Sequence, residues 1–267
     1  MRGGYARGGR AGGFGGYPGG AGGYPGFPQG QAYAPPGYPP APGYQAPPAA
    51  DDRPMTIDDV VTKTAITLGV ALLAGALTVA FNAYALAIPG ALIGLVLAMV
   101  IIFGRKPNPA LVLTYAAAEG VFLGAITGVF EHIYPGVAFQ AILGTFGVFA
   151  AMLVAYRTGA VRVTPRLTKW VIAATIGAVV VMLGDLIVHL FGGSLGIRDG
   201  GPTAIIFSLL VIGIAAFNLL LDFEQANQMI SAGMPAKWAW YAAFGLTVTL
   251  VWLYLEILRL LSYLQRN

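Results

Sequence analysis

Cysteine is absent from this chain of 267 residues. The protein therefore has neither disulfide bonds nor thiolate-ligated metal sites. Histidine occurs at only two positions, His132 and His189, which argues against a histidine-ligated zinc or haem site. We expect no bound cofactor from these residue types.

Charge is also scarce, since only 10% of the residues are charged and 57% are hydrophobic, with a mean hydropathy of +0.73. Ordinary soluble domains carry about 25% charged residues. The composition predicts an integral membrane protein whose first partner is the lipid bilayer. The net charge of +4 is better explained by basic residues that mark the cytoplasmic face than by a nucleic-acid partner.

The N-terminal segment, residues 1–54, has no apolar stretch long enough for the core of a signal peptide. It repeats Gly, Pro and Tyr, as in GGYPGG and PPGYPP. This composition predicts a disordered cytoplasmic tail, because it cannot bury enough surface to offset its ordering entropy. The tail either has no fixed partner or contacts other membrane proteins. The sequence from Thr56 to Asp59 then predicts the N-cap of a first helix, so residues 55–267 form the membrane domain.

Seven apolar segments are long enough to cross a bilayer, which takes roughly 20 residues of helix. They are residues 63–82, 86–103, 110–130, 137–156, 168–191, 203–223 and 238–263. The chain is therefore expected to be an all-α, seven-transmembrane helical bundle. Glycines repeat every four residues on the third segment (Gly120, Gly124, Gly128) and on the second (Gly90, Gly94), a spacing typical of close helix packing.

Basic residues are concentrated in alternate loops. They are Arg105 and Lys106 after segment two, Arg157, Arg162, Arg166 and Lys169 after segment four, and Lys237 after segment six. The other loops contain only Arg198, beside Asp199. Because cytoplasmic loops are enriched in Lys and Arg, this pattern predicts a cytoplasmic N-terminus and a C-terminus on the outer side.

Acidic residues occur inside or at the ends of the apolar segments, at five positions: Glu119, Asp185, Asp222, Glu224 and Glu256. An aspartate at membrane depth costs roughly 2.5 kcal/mol or more on insertion scales. Such a group must be paired, protonated or wetted by a cavity. Each of these states is a possible function.

Asp222 shares a helical face with Asn218 and Gln225, which predicts a polar strip that points inward from the sixth helix. Glu224 lies off this strip, and we expect it at the water interface. Glu119 is near the middle of the third helix, where a short side chain reaches neither surface, so it is expected to be protonated or paired.

Glu256 lies well inside the seventh helix, three residues before Arg259. Either the two residues form an internal ion pair, or Arg259 extends to the membrane interface. Asp185 is one turn from His189 on the fifth helix. This spacing predicts either a proton-sensitive pair or an interfacial capping pair.

The sixth helix contains Asp222-Phe223-Glu224-Gln225, and the seventh contains Leu253-Tyr254-Leu255-Glu256-Ile257-Leu258. Both stretches resemble motifs of the Bax inhibitor-1/YccA family. With seven spans, a cytoplasmic N-terminus and Glu119-Gly120 in the third helix, residues 55–267 resemble this family. The closest resemblance is to its bacterial branch with a low-complexity N-terminal extension.

The resemblance implies a bundle with the last helix at its centre, in the bacterial plasma membrane. It also implies a pH-sensitive calcium leak in which two acidic residues share a proton and keep the pore shut. Carried over, these residues are Asp222 and Glu256, which would also bind Ca²⁺ transiently. Two nearby carboxylates cannot both ionise cheaply, and hard cations prefer oxygen ligands. We expect supporting polar roles for Glu119, Asn218, Arg259, Asp185 and His189.

Whether Asp222 and Glu256 lie at the same depth in the membrane depends on where the hairpin between the sixth and seventh helices turns. If the helix hairpin turns near Gly233, Asp222 and Glu256 differ in depth by on the order of 18 Å at 1.5 Å per residue. They meet only if residues 236–244 lie along the interface or if the chain breaks before the seventh helix. Otherwise Glu256 is closer in depth to Asp185, and Asp222 to Glu119.

Two functions from different classes remain open. One is a proton-regulated calcium or cation leak channel. The other is a membrane-stress interaction protein that modulates a membrane protease or an envelope complex without transport, a role that the tail fits. An enzyme is not expected, because the seventh helix has no lysine for retinal beyond Lys237, and Ser208 and His189 do not form a serine-protease pair.

Overall fold

A computed structural model describes residues 53–266, so most of the predicted tail lies outside the described residues. Seven long helices fill this range, and each is long and apolar enough to cross a membrane. They are α1 (Ile57–Ala80), α2 (Ala87–Gly104), α3 (Pro109–Ile133), α4 (Val137–Arg157), α5 (Pro165–Leu190), α6 (Pro202–Ser231) and α7 (Ala239–Arg266). Short 3-10 turns, Tyr84–Leu86 and Ala236–Trp238, precede α2 and α7. The predicted seven-helix membrane bundle is confirmed.

Local capping chemistry sets the start of α1. The Thr56 hydroxyl accepts a hydrogen bond from the Asp59 backbone N–H at 3.3 Å, and the Asp59 carboxylate accepts one from the Thr56 N–H at 2.9 Å. This reciprocal capping box confirms the predicted start. Three helices exceed their predicted apolar segments by four residues or more, since α1 begins at Ile57, α3 extends to Ile133 and α6 continues to Ser231.

The last helix lies at the centre of the bundle. Of its span, 56% is buried, against 17–39% for the other six. It packs against α1, α3, α4 and α6, with Leu253 and Leu258 almost fully buried. Side chains on α7 are therefore enclosed by protein rather than lipid, which allows polar groups there to find partners.

Glycines bring α1, α2 and α3 into close contact. A Cβ atom at Gly120 would clash with the Ala71 carbonyl oxygen, and one at Gly124 would clash with that of Gly75. On α2, a Cβ at Gly90 would lie 3.0 Å from the Ala118 carbonyl oxygen. The glycine repeats are packing surfaces, as their spacing predicted.

Connections alternate between two ends of the bundle. The basic end contains the start of α1 and the α2–α3, α4–α5 and α6–α7 connections, with the basic residues named above. The opposite end contains the α1–α2, α3–α4 and α5–α6 connections and the end of α7.

At the basic end, the Met55 N–H donates to the Met234 carbonyl and the Ala236 N–H donates to the Arg53 carbonyl, both at 2.8 Å. Residues 53–55 are thereby attached to the α6–α7 turn.

Candidate functional site

Asp222 on α6 faces the central helix in the half of the bundle nearer the basic end. Its Oδ2 atom is buried and has no hydrogen-bond partner among the described residues. The side chain of Thr249 interacts with the carboxylate, and a methyl group at Gly245 would lie 3.6 Å from Oδ1. Asp222 therefore lies at the depth of residues 245–249 of α7.

Glu256 is buried on α7, with 2% of the residue exposed. Its Oε1 atom accepts hydrogen bonds from Arg259 Nη1 at 2.7 Å and from Arg198 Nη2 at 3.1 Å. Its Oε2 atom is buried without a partner in residues 53–266. Of the two alternatives for Arg259, the structure shows the internal pair, and it adds a second arginine that comes from the α5–α6 connection.

The structure does not bring Asp222 and Glu256 together. The α7 residues opposite Asp222, Gly245 and Thr249, precede Glu256 by seven to eleven positions, or about 10 to 17 Å along the helix at 1.5 Å per residue. The expectation that the two carboxylates contact each other is therefore corrected: they lie at different depths. The reason is that α6 runs on to Ser231 and α7 follows after one 3-10 turn, so no shift along the interface compensates for the offset.

Glu256 instead shares its surroundings with Asp185. Asp185 on α5 is 9% exposed and interacts electrostatically with Arg198 and Tyr263. The Tyr263 hydroxyl donates to the Arg198 carbonyl at 2.9 Å, which fixes the loop over this site. Burial and the neighbouring Arg259 lower the pKa of the Arg198 guanidinium, while Glu256 acts in the opposite direction. We call the group of Asp185, Arg198, Glu256, Arg259 and Tyr263 the outer cluster.

The predicted pair of Asp185 and His189 is not formed. His189 is exposed, and no hydrogen bond joins the two side chains in the described part of the chain. Asp185 interacts electrostatically with Arg198 instead.

The predicted polar strip on α6 is divided between two neighbours. Asn218 Nδ2 donates to Thr175 Oγ1 on α5 at 2.8 Å and to the Ile214 carbonyl at 2.9 Å. Gln225 is exposed, so only Asp222 of the three faces α7. Asn218 therefore joins α5 to α6 and does not approach Glu256.

Glu119 is half-buried between α2 and α3. A methyl group at Gly94 would lie 2.8 Å from its Oε2 atom, so its side chain lies over that glycine. One turn earlier, Tyr115 makes an edge-to-face contact with Phe244 of α7, with ring centroids 4.9 Å apart. Glu119 is thus near the depth of Asp222, as the alternative geometry predicted, but it faces α2.

Three contacts were not expected from the sequence. Arg198 was identified only as a charged loop residue. Its isolated position, in a connection with no other basic residue, was a signal that it neutralises a buried acid. Lys63 on α1 donates to the Ala236 carbonyl at 2.6 Å and lies 5.5 Å from the Trp240 ring centroid. Glu224 is half-buried and accepts from the Tyr156 hydroxyl at 2.9 Å, so it is more enclosed than an interfacial residue.

Within residues 53–266, no group of three or more His, Asp or Glu side chains is arranged to hold a metal ion. Asp222 on α6 and Glu256 on α7 each have one unpartnered carboxylate oxygen among these residues, at different depths. Such oxygens can take up a proton or transiently contact a cation, but they do not form a multidentate calcium site.

A family model described as Bax inhibitor 1 like matches residues 17–266, which extends further into the N-terminal segment than the resemblance predicted. No curated protein matches the chain.

Proposed function

Since this chain belongs to the Bax inhibitor 1-like family, we propose that it is a proton-regulated calcium or cation leak channel of the bacterial plasma membrane, with its N-terminus in the cytoplasm. The observation that carries the proposal is a central helix bordered by two buried carboxylates. Each has one oxygen without a hydrogen-bond partner in the described residues.

An unpartnered oxygen of this kind is costly when the carboxylate is charged. Leaving a buried polar atom unsatisfied costs about 1–3 kcal/mol, and more for a charged group. A proton on the carboxylate or a cation beside it removes this cost. Asp222 and Glu256 are therefore places where proton and cation compete along α7.

The two sites act in sequence and not as a pair in this proposal. Conduction requires sites that bind strongly enough for entry and weakly enough for exit. Asp222, whose carboxylate interacts with the neutral side chain of Thr249, is the inner site. Glu256, with Arg198 and Arg259 on Oε1, is the outer site, and the arginines keep it closed to cations.

Proton regulation follows from the inner site. When Asp222 is protonated, α6 packs against Gly245 and Thr249 without a buried charge. When it is ionised, the unpaired charge favours either a cation or an opening that admits water. Flux is therefore expected to rise as the pH increases.

The test measures Ca²⁺ flux into proteoliposomes across a range of pH with the full chain. Asp222→Asn is expected to remove the pH dependence, and Glu256→Gln to change the flux because Arg198 and Arg259 lose their partner. Glu224→Gln is the matched control, because Glu224 bonds to Tyr156 and Gln228 away from α7. Unchanged flux in both Asp222→Asn and Glu256→Gln would exclude the channel.

A second candidate is the membrane-stress interaction protein, and the attachment of residues 53–55 to the α6–α7 turn favours it. Met55 is 2% exposed and bonds to Met234, so a partner bound to the preceding segment would act on the hairpin that contains Asp222. If the protein acts through such a partner, removal of residues 1–50 is expected to abolish the stress phenotype in cells, and the double variant Asp222→Asn, Glu256→Gln is expected to leave it intact. If the protein is a channel, the double variant is expected to abolish the phenotype and the truncation to leave it intact.

A further inference from the structure

We propose that the crevice between α1 and α4 binds an anionic phospholipid of the bilayer, with one acyl chain in the crevice and the headgroup at Arg157. This inference is independent of ion conduction. It rests on the shape of the crevice, on the pairing of its polar groups and on the charge at its two ends.

The crevice consists of two connected cavities. The larger, of about 640 Å³, has α7 as its floor and α1, α3 and α4 as its walls. The smaller, of about 330 Å³, continues toward the basic end between α1, α4 and α6, and Leu68 lines both. Leu72 and Phe146 on the rim are 53% and 51% exposed, so the crevice opens sideways, where the acyl chains of the bilayer lie.

Polar groups in the larger cavity are already paired. The Thr127 and Tyr254 hydroxyls are 2.8 Å apart, and the Thr145 hydroxyl donates to the Ala141 carbonyl at 2.8 Å. An extended peptide segment there would leave its backbone groups without partners, which costs several kcal/mol per group in hydrocarbon. A hydrocarbon chain has no such groups, so the larger cavity favours a lipid over an extended peptide.

Charge decides which end holds the headgroup. Arg157 lines the mouth of the smaller cavity, and no hydrogen bond or ion pair engages it within the described part of the chain. Three more exposed basic residues follow in the same connection and the start of α5, Arg162, Arg166 and Lys169. Glu131 lines the far end of the crevice and is bonded to the backbone N–H groups of Gly136 and Ala138. An anionic headgroup is attracted to the first end and repelled from the second.

The first experiment identifies the occupant. The full chain is produced in cells with the photocrosslinker p-benzoylphenylalanine in place of Ala76, an exposed residue that lines the larger cavity. Mass spectrometry of the irradiated protein is expected to show a phospholipid adduct. A crosslink to residues 1–50, to a second copy of the chain or to another protein would overturn the proposal.

The second experiment measures lipid preference by native mass spectrometry in mixed micelles of phosphatidylglycerol and phosphatidylcholine. Ala65→Phe and Ala76→Phe fill the crevice and are expected to abolish tight retention of one phosphatidylglycerol. Ala174→Phe, on the exposed face of α5, is the size-matched control. Retention of one phosphatidylglycerol in both crevice variants, at the level of the control, would overturn the proposal.

A further variant tests the contact of the headgroup. Arg157→Gln is expected to reduce the preference for phosphatidylglycerol about fivefold, as for one basic residue near an anionic headgroup. Arg105→Gln, at an exposed position in the α2–α3 connection outside the lining, is expected to leave the preference unchanged. Equal effects of the two arginine variants would overturn the placement of the headgroup at Arg157.

Discussion

Arg198 and Glu256 form an ion pair between the α5–α6 connection and the central helix, with Nη2 3.1 Å from Oε1. Arg259 approaches the same oxygen to 2.7 Å from one turn along α7. The carboxylate is therefore held by one partner fixed on its own helix and by one partner on a loop. Arg198 thus joins the α5–α6 connection to α7, and the hydrogen bond from the Tyr263 hydroxyl to the Arg198 carbonyl holds the same connection in place.

Removal of this loop arginine tests the outer site. Arg198→Gln is expected to raise Ca²⁺ flux in proteoliposomes, because Glu256 keeps only Arg259 and becomes accessible to cations. It is also expected to cost roughly 1.5–3 kcal/mol of unfolding free energy, as for the loss of one hydrogen bond to a charged group. Thermal unfolding in detergent checks the second effect, with the exposed Arg166→Gln as the control. Flux equal to that of the control would mean that Arg198 has only a structural role.

Gly245 provides a steric test of the inner site. A methyl group there lies 3.6 Å from Asp222 Oδ1, which is ordinary contact, so Gly245→Ala is expected to fold normally. The bulkier Gly245→Val occupies the space beside the carboxylate and is expected to reduce cation flux without abolishing folding. Gly213→Ala, where a Cβ atom meets nothing within 4 Å, is the control on α6. Wild-type flux in Gly245→Val would place the cation path elsewhere.

Helices and their depths were predictable from the sequence, whereas their rotations and the loop contacts were not. The apolar runs and the capping box at Thr56 depend on local chemistry, so seven spans and the start of α1 followed directly. The rise per residue indicated an offset in depth between Asp222 and Glu256, although the resemblance led us to expect that the two residues meet. The direction in which Asn218 points depends on how α6 rotates against α5, which no local pattern encodes. Arg198 reaches Glu256 through a loop conformation set by tertiary contacts, so the outer cluster was missed.

The glycine contact between α1 and α3 predicts a stability effect. Gly124→Ala forces a methyl group into the backbone of Gly75, and overpacking of this kind typically costs about 1–3 kcal/mol. Gly177→Ala on α5 meets nothing within 4 Å and is the matched control, expected to be neutral or slightly stabilising because alanine is the better helix former. Thermal unfolding in the same detergent compares the two. Equal melting temperatures would mean that the helices separate to admit the methyl group.

Topology can be tested directly because the chain contains no cysteine, so a single introduced thiol is the only one that reacts. Thr158→Cys lies in the α4–α5 connection at the basic end, and Ser194→Cys lies in the α5–α6 connection at the opposite end; both positions are exposed. With the basic end in the cytoplasm, a membrane-impermeant maleimide added to intact cells labels Ser194→Cys and leaves Thr158→Cys unlabelled until the membrane is permeabilised. The reverse pattern would invert the orientation and would place the Arg198–Glu256 pair on the cytoplasmic side. The labelling therefore fixes the side from which Ca²⁺ must be added in the flux assays for it to reach the outer site first.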